Sequence, residues 1–379
     1  MKGNDHEQLN IVMLGHKRIP SREGGVEIVV EELSTRMAAL GYHVTCYNRG
    51  GHHVSGAEFD TKSMNEYRGV KLKTAWTLDK KGLAAVTSSF FAAVRSAFSK
   101  ADAVHIHAEG PAFMCWLPKL FGKKVIVTVH GLDWQREKWK SGFGAKYIHA
   151  GEKMAVRFAD EIIVLSRNVQ DYFKNTYGRE TIWIPNGVAK PEIADADLIR
   201  KRYGLEKDGY ILFLGRLVPE KGINYLIEAF RGTETGKKLV IAGGSSDSDD
   251  YAQQLRATAG NDARIVFTGF VQGWTLAELY SNAYIYVLPS DVEGMPLSLL
   301  EAMSYGNCCV VSDIPECAEV VEDKAVTFGK GKIDELRSKL QALCDDPSLV
   351  DGYKKTARSF ICDKYNWDDV TKKTLELYR

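Results

Sequence analysis

The sequence has no apolar run of the roughly 18 residues that a membrane-spanning helix needs. Its start has no apolar leader segment, so we expect a cytoplasmic protein. The seven cysteines are odd in number and form no Cys-x-x-Cys pair, which argues against a disulfide framework or a zinc ribbon. Low-complexity tracts and short repeats are also missing. The 379 residues therefore predict about two globular domains.

Several familiar site motifs are missing as well. The sequence contains no G-x-G-x-x-G dinucleotide fingerprint, no G-x-x-x-x-G-K-[ST] phosphate loop and no G-x-S-x-G nucleophile elbow. His105 and His107 alternate along a strand and point to the same side, but no third or fourth zinc ligand stands near them in the sequence. We therefore expect neither a Walker-type hydrolase nor a metal site.

The charge is distributed unevenly along the chain. Residues 1–190 hold 27 Lys and Arg against 19 Asp and Glu, whereas the remaining residues hold 23 against 30. All nine histidines also lie in residues 1–190. A basic half beside an acidic half indicates that one domain meets an anionic surface or ligand. The competing interpretation is an uneven spread of solvated surface charge.

Short apolar segments alternate with helical patterns, which predicts parallel sheets covered by helices. The series restarts after Pro185-Asn-Gly187, so we predict two doubly wound domains. Ligands of such sheets bind outside the carboxyl ends of the strands. The predicted strands are 9–14, 44–47, 103–107, 125–129, 161–165, 210–214, 239–242, 265–267, 285–288 and 309–311. The predicted helices are 26–40, 83–98, 145–158, 223–230, 276–281 and 297–305.

The strongest local feature is the segment 291–301. It follows a predicted strand and opens a helix, with Pro296 in the first helical position. The N–H groups from Met295 to Ser298 would form an anion site at the helix N-terminus, flanked by Glu293 and Glu301. The alternative is an ordinary capped helix with solvated acids, since acids favour helix starts.

Two further loops combine glycine with charge. In the loop 215–222, Arg216 and Lys221 stand between two glycines before a helix, a pattern that suits a diphosphate. Gly24 and Gly25 precede the first long helix in the same way. An ordinary charged surface loop remains the alternative for the first of them.

His130 follows a strand of the first domain, where residues of a ligand site are expected. An imidazole there can donate to a sugar hydroxyl or move a proton. Trp134 and Trp139 can stack on sugar faces, although packing in the core is an equal explanation for both.

Taken in order, these segments resemble the retaining glycosyltransferases of family four, in particular a bacterial branch that builds surface polysaccharides. Glu293 and Glu301 match the family's E-x7-E motif, and the loop 215–222 resembles its G-R-(4)-K-G diphosphate loop. Glu293-Gly-Met-Pro is shorter than the usual E-G-F-G-x-P stretch, while the spacing of the two glutamates is kept. The segments 18–27, 130–139 and 184–188 are also similar.

The resemblance implies a GT-B fold, an α/β architecture in which two Rossmann-like, doubly wound domains face each other across a cleft. Its C-terminal helix crosses back to the first domain. The implied acceptor-side domain comprises residues 1–187 plus 366–379. The implied donor-binding domain, which holds the nucleotide sugar, comprises residues 188–365.

The resemblance also implies roles for individual residues. Arg216 and Lys221 would neutralise the leaving diphosphate, and His130 would contact the sugar near the reacting carbon. Glu293 would hold the donor sugar, and Glu301 the ribose hydroxyls. The other implied donor contacts are Gly24, Gly25, Gly215, Phe270, Val271, Gly294, Met295, Pro296 and Leu297. The predicted acceptor contacts are His107, Asp133 and Trp134.

The implied activity is retaining transfer of a hexose from a nucleotide-diphosphate sugar to a saccharide or lipid-linked acceptor. UDP-sugars are the first expected donors, ahead of GDP-mannose and deoxysugar donors. No cofactor or metal is expected, because fixed cations and helix N–H groups can stabilise the leaving phosphate. Same-face attack is preferred to a covalent intermediate on Glu293.

The expected partners are these substrates and an anionic membrane surface, with no nucleic acid. Lys80 and Lys81 precede the apolar segment 83–95, which is consistent with an interfacial helix on the inner face of the cell membrane. A buried helix with a basic turn is the alternative. Two other functions stay open: a nucleotide-sugar 2-epimerase on the same fold, and a non-catalytic nucleotide-sugar binding protein.

Overall fold

The structure is a computed structural model that describes residues 9–51, 64–80, 82–135, 142–245 and 250–379. The chain divides into two compact units. The first unit comprises Met1–Asn186 and Trp367–Arg379, and the second comprises Gly187–Asn366. Each unit contains one mainly parallel β-sheet with helices between its strands, so the predicted α/β class is confirmed.

The first unit contains an eight-stranded sheet. In chain order its strands are β1 (Asn10–Leu14), β2 (His43–Arg49), β3 (Glu66–Tyr67), β4 (Val70–Ala75), β5 (Ala103–His107), β6 (Lys124–Val129), β7 (Glu161–Val164) and β8 (Ile182–Trp183). Their order across the sheet is β3-β4-β2-β1-β5-β6-β7-β8. Every neighbouring pair is parallel except β3 and β4. All five residues of the central strand β5 are buried, as expected where helices cover both faces.

The helices of the first unit before residue 187 lie between these strands. They are α1 (Gly25–Ala39), α2 (Ala84–Ala97), α3 (Glu109–Ala112), α4 (Trp116–Leu120), α5 (Gly142–Phe158) and α6 (Arg167–Tyr177). None of the helices in the described part of the chain has the length and hydropathy of a membrane-spanning segment.

The second unit contains a six-stranded sheet in which every neighbouring pair is parallel. Its strands are β9 (Tyr210–Leu214), β10 (Lys238–Ala242), β11 (Ile265–Gly269), β12 (Ile285–Leu288), β13 (Cys308–Ser312) and β14 (Val326–Phe328). Their order is β11-β10-β9-β12-β13-β14. Its helices are α7 (Leu198–Tyr203), α8 (Ile223–Arg231), α9 (Asp250–Ala259), α10 (Gly273–Asn282), α11 (Leu297–Ser304), α12 (Pro315–Val321), α13 (Ile333–Asp345) and α14 (Pro347–Lys364).

The last helix, α15 (Trp367–Glu376), belongs to the first unit and packs on α1. The Arg36 guanidinium on α1 lies 2.9 Å from the Asp368 carboxylate. Beyond the helix, the Tyr378 hydroxyl lies 2.6 Å from Nδ1 of the buried His105. The end of the chain is therefore part of the core of the first unit.

The predicted elements are found with small shifts at their ends, and several further elements were not predicted. The strands at 103–107, 210–214 and 285–288 have the predicted bounds. The strand β4 was missed because its sequence alternates buried and exposed residues instead of forming an apolar run. The polar helix α6 was missed too, although Ser166 is its N-cap and accepts a hydrogen bond from the Val169 N–H.

Candidate functional site

In the second unit, the loops after β9 and β12 touch through a glycine. Gly222 has a φ of +62°, and a Cβ there would lie 2.1 Å from the Pro289 carbonyl oxygen. The Asp291 N–H also donates to the Glu220 carbonyl at 2.8 Å. Only glycine allows this approach, and it places the turn of Lys221 beside the segment that begins α11.

Lys221 and Glu293 form an ion pair at this contact. The Lys221 Nζ lies 2.5 Å from Oε1 of Glu293, and their side chains are only 13% and 8% exposed. The Ser290 hydroxyl donates to the same carboxylate oxygen at 2.6 Å. The Ser312 hydroxyl, at the end of β13, donates to the Ser290 carbonyl at 2.5 Å. A cation and an anion predicted for the site are therefore held in direct contact.

The helix α11 begins at Leu297, as the predicted helix 297–305 does. Pro296 is its N-cap, with a φ of −75° and a ψ of 103°, and Leu297 is the first helical residue. The first N–H groups bonded within the helix are those of Leu299 and Leu300, which donate to the Pro296 carbonyl. The prediction that Pro296 occupies the first helical position is wrong, because its ψ is extended. The N–H groups of Leu297 and Ser298 keep the geometry of an anion site.

Two buried tyrosines fix the first turn of α11. The Tyr280 hydroxyl lies 3.2 Å from the Ser298 carbonyl oxygen and 3.2 Å from Oε2 of Glu301. The Tyr286 hydroxyl donates to the Ser298 hydroxyl at 2.9 Å. Burial raises the pKa of both phenols well above the usual value, so they remain proton donors. Neither tyrosine is predicted from the sequence, because each looks like an ordinary apolar core residue.

The pair Gly243–Gly244 was also missed. It follows β10, and a Cβ on Gly243 would lie 1.8 Å from the Gly215 carbonyl oxygen. Gly243 has a φ of +152° and donates its N–H to the Gly269 carbonyl at 2.9 Å. The predicted residues Phe270 and Val271 follow β11 directly. The signal for this pair in the sequence is that two glycines directly follow the predicted strand 239–242.

In the first unit, Gly24 is the N-cap of α1 and Gly25 is its first residue. Gly24 is extended, with a φ of −161°, which any residue adopts. A Cβ there would lie 2.5 Å from Oε2 of Glu27, the acid of the first turn. The other oxygen of Glu27 accepts the Lys17 N–H at 2.8 Å. An internal carboxylate therefore already lies at this helix N-terminus.

Three histidines form a row behind the predicted sugar-contacting loop. Nδ1 of His107 lies 3.1 Å from Nε2 of His130, and the rings of His105 and His107 stack with centroids 4.2 Å apart. Burial lowers the pKa of His105 to about 3 and that of His107 well below its usual value. Both are therefore uncharged at neutral pH. The two ring nitrogens of His105 are hydrogen-bonded to the hydroxyls of Thr128 and Tyr378.

The loop continues with Asp133 and Trp134. The Asp133 N–H donates to the Glu109 carboxyl at 2.8 Å, and the Trp134 ring stacks on His149 with centroids 5.3 Å apart. Trp139 lies outside the described residues, as does Lys81. No group of three or more potential metal ligands is found where side chains are described.

The predicted residues thus fall into two clusters, each within one unit. The second unit joins Lys221, Glu293, Leu297 and Ser298 through the loops after β9 and β12. The first unit joins His107, His130, Asp133 and Trp134 through the ends of β5 and β6. The ligand contacts predicted for these residues stay predictions.

Two family models match the chain, one in each unit. Residues 23–190 match the model "Glycosyltransferase Family 4", and residues 195–360 match the model "Glycosyl transferases group 1". An uncharacterized glycosyltransferase of Methanocaldococcus jannaschii is 29% identical over 296 residues, 74% of this chain and 75% of that protein.

Solved structures share the same architecture. Sucrose-phosphate synthase of Thermosynechococcus elongatus superposes with a TM-score of 0.83 at 20% identity, covering 98% of each chain. The structure of HepE of Anabaena in complex with UDP-glucose gives a TM-score of 0.80 at 17% identity, covering 97% of this chain and 99% of that one. The two Rossmann-like sheets are therefore those of the GT-B fold.

The two family models define a sugar-transferring enzyme. The protein is a glycosyltransferase of the GT-B type, with a family 4 first domain and a group 1 second domain.

Proposed function

We propose that this glycosyltransferase moves a hexose, with retention of configuration, from a nucleotide-diphosphate sugar to a saccharide or lipid-linked acceptor in cell-surface polysaccharide assembly. The observation that carries the proposal is the buried Lys221–Glu293 pair beside the N-terminus of α11. A UDP-sugar is the first candidate donor, which the HepE complex with UDP-glucose supports. No metal is needed in this proposal.

Cleavage of the anomeric C–O bond builds negative charge on the leaving diphosphate. Lys221 and Arg216 are the cations assigned to it, together with the N–H groups of Leu297 and Ser298. The ammonium of Lys221 would exchange its bond with Glu293 for one with phosphate. The Glu293 carboxylate would then accept hydroxyl groups of the sugar.

The remaining roles follow the same chemistry. Glu301, held by the Tyr280 hydroxyl, would accept the ribose hydroxyls. The leaving phosphate would take the proton of the acceptor hydroxyl on the face from which it departs, which gives retention without a covalent intermediate. His130 is assigned to the sugar near the reacting carbon.

Thermal unfolding with UDP, GDP, dTDP and ADP, each with and without magnesium, tests the donor site. One diphosphate at 100 times its Kd should add about 2.7 kcal/mol of stability without metal. In Lys221→Met this stabilisation should disappear. Lys354→Met is the matched control, because Lys354 also pairs with a carboxylate of the second unit, Asp208, at 2.6 Å.

The outcomes separate clearly. A response to UDP that survives in Lys354→Met and not in Lys221→Met supports both the site and the UDP donor. A response to GDP or dTDP instead would keep the site and change the donor. If no diphosphate stabilises the wild type, the assigned donor site is wrong.

We further propose that the protein works at the inner face of the membrane, through the exposed face of α2. The buried residues of this helix are all serine or alanine, whereas its large residues face outward. Phe90 is 45% exposed and Phe98, just after the helix, is 70% exposed. An ordinary surface helix has the reverse arrangement, so the described residues of the first unit leave this apolar face uncovered.

Neighbouring aromatic and basic residues extend this face. Trp76 packs on Phe91 with centroids 5.0 Å apart, and Phe121 packs on Phe98 at 4.5 Å. The segment 83–98 contains Arg95 and no acid. Aromatic rings with cations and without acids suit the boundary between anionic headgroups and acyl chains. Below, "aromatic face" means Trp76, Leu83, Phe90, Phe91, Phe98 and Phe121.

A further inference from the structure

Two buried carboxyl groups lie behind the loop that carries His130. Glu109 opens α3 and Glu152 lies on α5, and neither residue has any exposed surface. Between the two helices, a Cβ on Gly151 would lie 1.9 Å from the Glu109 carbonyl oxygen. Because glycine has no side chain, α5 can lie directly against α3 at Gly151, and the next residue, Glu152, lies near Glu109.

Each carboxyl group uses one oxygen to accept hydrogen bonds from other residues. Oε2 of Glu109 accepts the Asp133 N–H at 2.8 Å. Oε1 of Glu152 accepts the hydroxyl of Tyr172 at 2.9 Å and that of Tyr177. Oε1 of Glu109 and Oε2 of Glu152 are buried and receive no donor from the described residues.

Because Gly151 lies against the Glu109 backbone, the neighbouring Glu152 is close to Glu109, and a proton shared by their two unpartnered oxygens would give each of them a partner. A carboxylate only accepts hydrogen bonds, so a bond between two carboxyl groups requires one proton. Without it, two negative charges would lie side by side away from water, which is strongly unfavourable. The geometry therefore needs one neutral acid and one carboxylate.

The surroundings assign the proton to Glu109. Burial, the charge of Asp133 and the bond to Glu152 raise the pKa of Glu109 well above its usual value. The Glu152 carboxyl accepts two hydroxyl donors, from Tyr172 and Tyr177, whereas Glu109 accepts the single N–H of Asp133. Among the described residues, Asp133 of the loop and Glu152 of α5 act on Glu109 directly, and Tyr172 and Tyr177 of α6 act on it through Glu152.

The backbone before Glu109 is strained. Ala108 has a φ of 77° and a ψ of 155°, a region that is otherwise nearly restricted to glycine. Its N–H donates to the Thr128 carbonyl at 2.9 Å. This conformation directs His107 to His130 and Glu109 to Asp133. The segment 107–109 is therefore hydrogen-bonded to the loop at His130 and at Asp133, three residues apart.

We propose that Glu109 is a positioning residue that, as a neutral acid, bridges the Asp133 N–H and the Glu152 carboxylate and so holds the His130 loop in place. Its kinetic consequence rests on the role proposed above for His130. The structural part stands on its own.

Three variants test this arrangement in the full chain. Glu109→Gln supplies a carbonyl for Asp133 and an N–H donor for Glu152, and it therefore imitates the neutral acid. Glu109→Ala removes both bonds. Glu180→Gln is the control, because this acid of the same unit is exposed and pairs with Lys174 at its surface.

Two readouts need no substrate. Infrared spectra at neutral pH should show the C=O band of a protonated carboxyl in wild type and Glu180→Gln, and not in Glu109→Gln. In hydrogen exchange, the peptide that contains Asp133 should exchange about tenfold faster in Glu109→Ala, as loss of one net hydrogen bond gives. It should keep wild-type protection in Glu109→Gln.

The pH dependence supplies a third readout. Because the folded-state pKa of Glu109 is raised, its contribution to stability is present in acid and is lost as pH rises towards that pKa. Glu109→Gln does not titrate, so its unfolding temperature should rise relative to wild type as the pH increases. A difference that does not change with pH would contradict the proposal.

Release of UDP from UDP-glucose supplies the kinetic readout. Misplacement of the loop in Glu109→Ala should lower kcat by about a hundredfold, and Glu109→Gln should restore it. A wild type without the carboxyl band, or an unchanged loop in Glu109→Ala, overturns the proposal. If Glu109→Ala does not fold, three measurements on Glu109→Gln decide whether the proposal holds. They are the carboxyl band in the infrared spectrum, the hydrogen-exchange protection of the loop and the pH dependence of the unfolding temperature. If wild type transfers from no donor, the proposed function fails while these readouts still decide the role of Glu109.

Discussion

Gly243 and Gly244 are adjacent residues with opposite tolerance for a side chain. A Cβ on Gly243 would lie 1.8 Å from the Gly215 carbonyl oxygen, and its φ of +152° is rarely adopted by other residues. A Cβ on Gly244 would meet only Cβ of Phe270, at an ordinary 3.6 Å. The two positions therefore form a matched pair for the loops after β9 and β10.

We predict that Gly243→Ala destabilises the protein by about 2–3 kcal/mol, because backbone must move to admit the methyl group. It should also weaken the response to nucleotide diphosphate, since the shifted carbonyl belongs to the Arg216 loop. Gly244→Ala should change neither. Urea unfolding followed by thermal shift with the active diphosphate measures both effects. Equal stability of the two variants would contradict this account.

At the scale of one element, α2 gives a test of the membrane proposal. Phe90→Ser combined with Phe98→Ser should reduce binding to anionic vesicles, because both side chains belong to the aromatic face. Folding stability should change little, since neither side chain is buried. Co-flotation with phosphatidylserine vesicles at low and high salt is the measurement.

Leu40→Ser is the control for this experiment. Leu40 is 65% exposed and directly follows α1, a helix that packs on α15 and contains no residue of the aromatic face. This variant should float as the wild type does. Wild-type protein that fails to bind anionic vesicles, or equal loss of binding in all variants, would refute the role of α2.

The same helix shows where periodicity misleads. Its bounds were predicted within one residue, because apolar residues recur along it. The usual inference, that the large apolar residues face the core, is wrong here. Small residues face the core instead, because they allow the helix to pack closely against the sheet; they include Ser88, Ser89, Ala92 and Ala93.

At the scale of the molecule, the buried histidines predict that acid destabilises the first unit before the second. Burial lowers the pKa of His16 to about 4 and that of His105 to about 3, against about 6.5 in the unfolded chain. Because these values are depressed, the contribution to stability is complete above pH 6.5 and is lost as pH falls towards 4. Residues 187–366 contain no histidine.

Calorimetry at pH 7.5, 6 and 5 checks this prediction. The first unit should unfold at a lower temperature as the pH falls. Its free energy of unfolding should decrease by up to about 1.4 kcal/mol per histidine and pH unit. Tyr378→Phe removes the hydroxyl bonded to His105 and should lower the unfolding temperature of the first unit at every pH. This variant therefore identifies which transition belongs to the first unit. Equal acid shifts of both transitions would contradict the prediction.

Local sequence determined the elements and the ordered motifs. Apolar runs such as 103–107 and 210–214 identified buried parallel strands. Their ends located Lys221, Glu293 and His130, because ligand residues of such sheets follow the strands. The resemblance of the ordered segments indicated a glycosyltransferase, and the two family models confirm this class of enzyme.

Only the tertiary structure decided which distant groups meet. Tyr378 reaches His105 across 273 positions, Gly243 lies against Gly215, and Gly151 lies against Glu109. Periodicity reports neighbours three or four positions apart, whereas these contacts depend on strand order and on the approach of helices. For the same reason, the sequence alone assigned no role to Glu109 or Glu152, and the tertiary structure places both as buried residues behind the His130 loop.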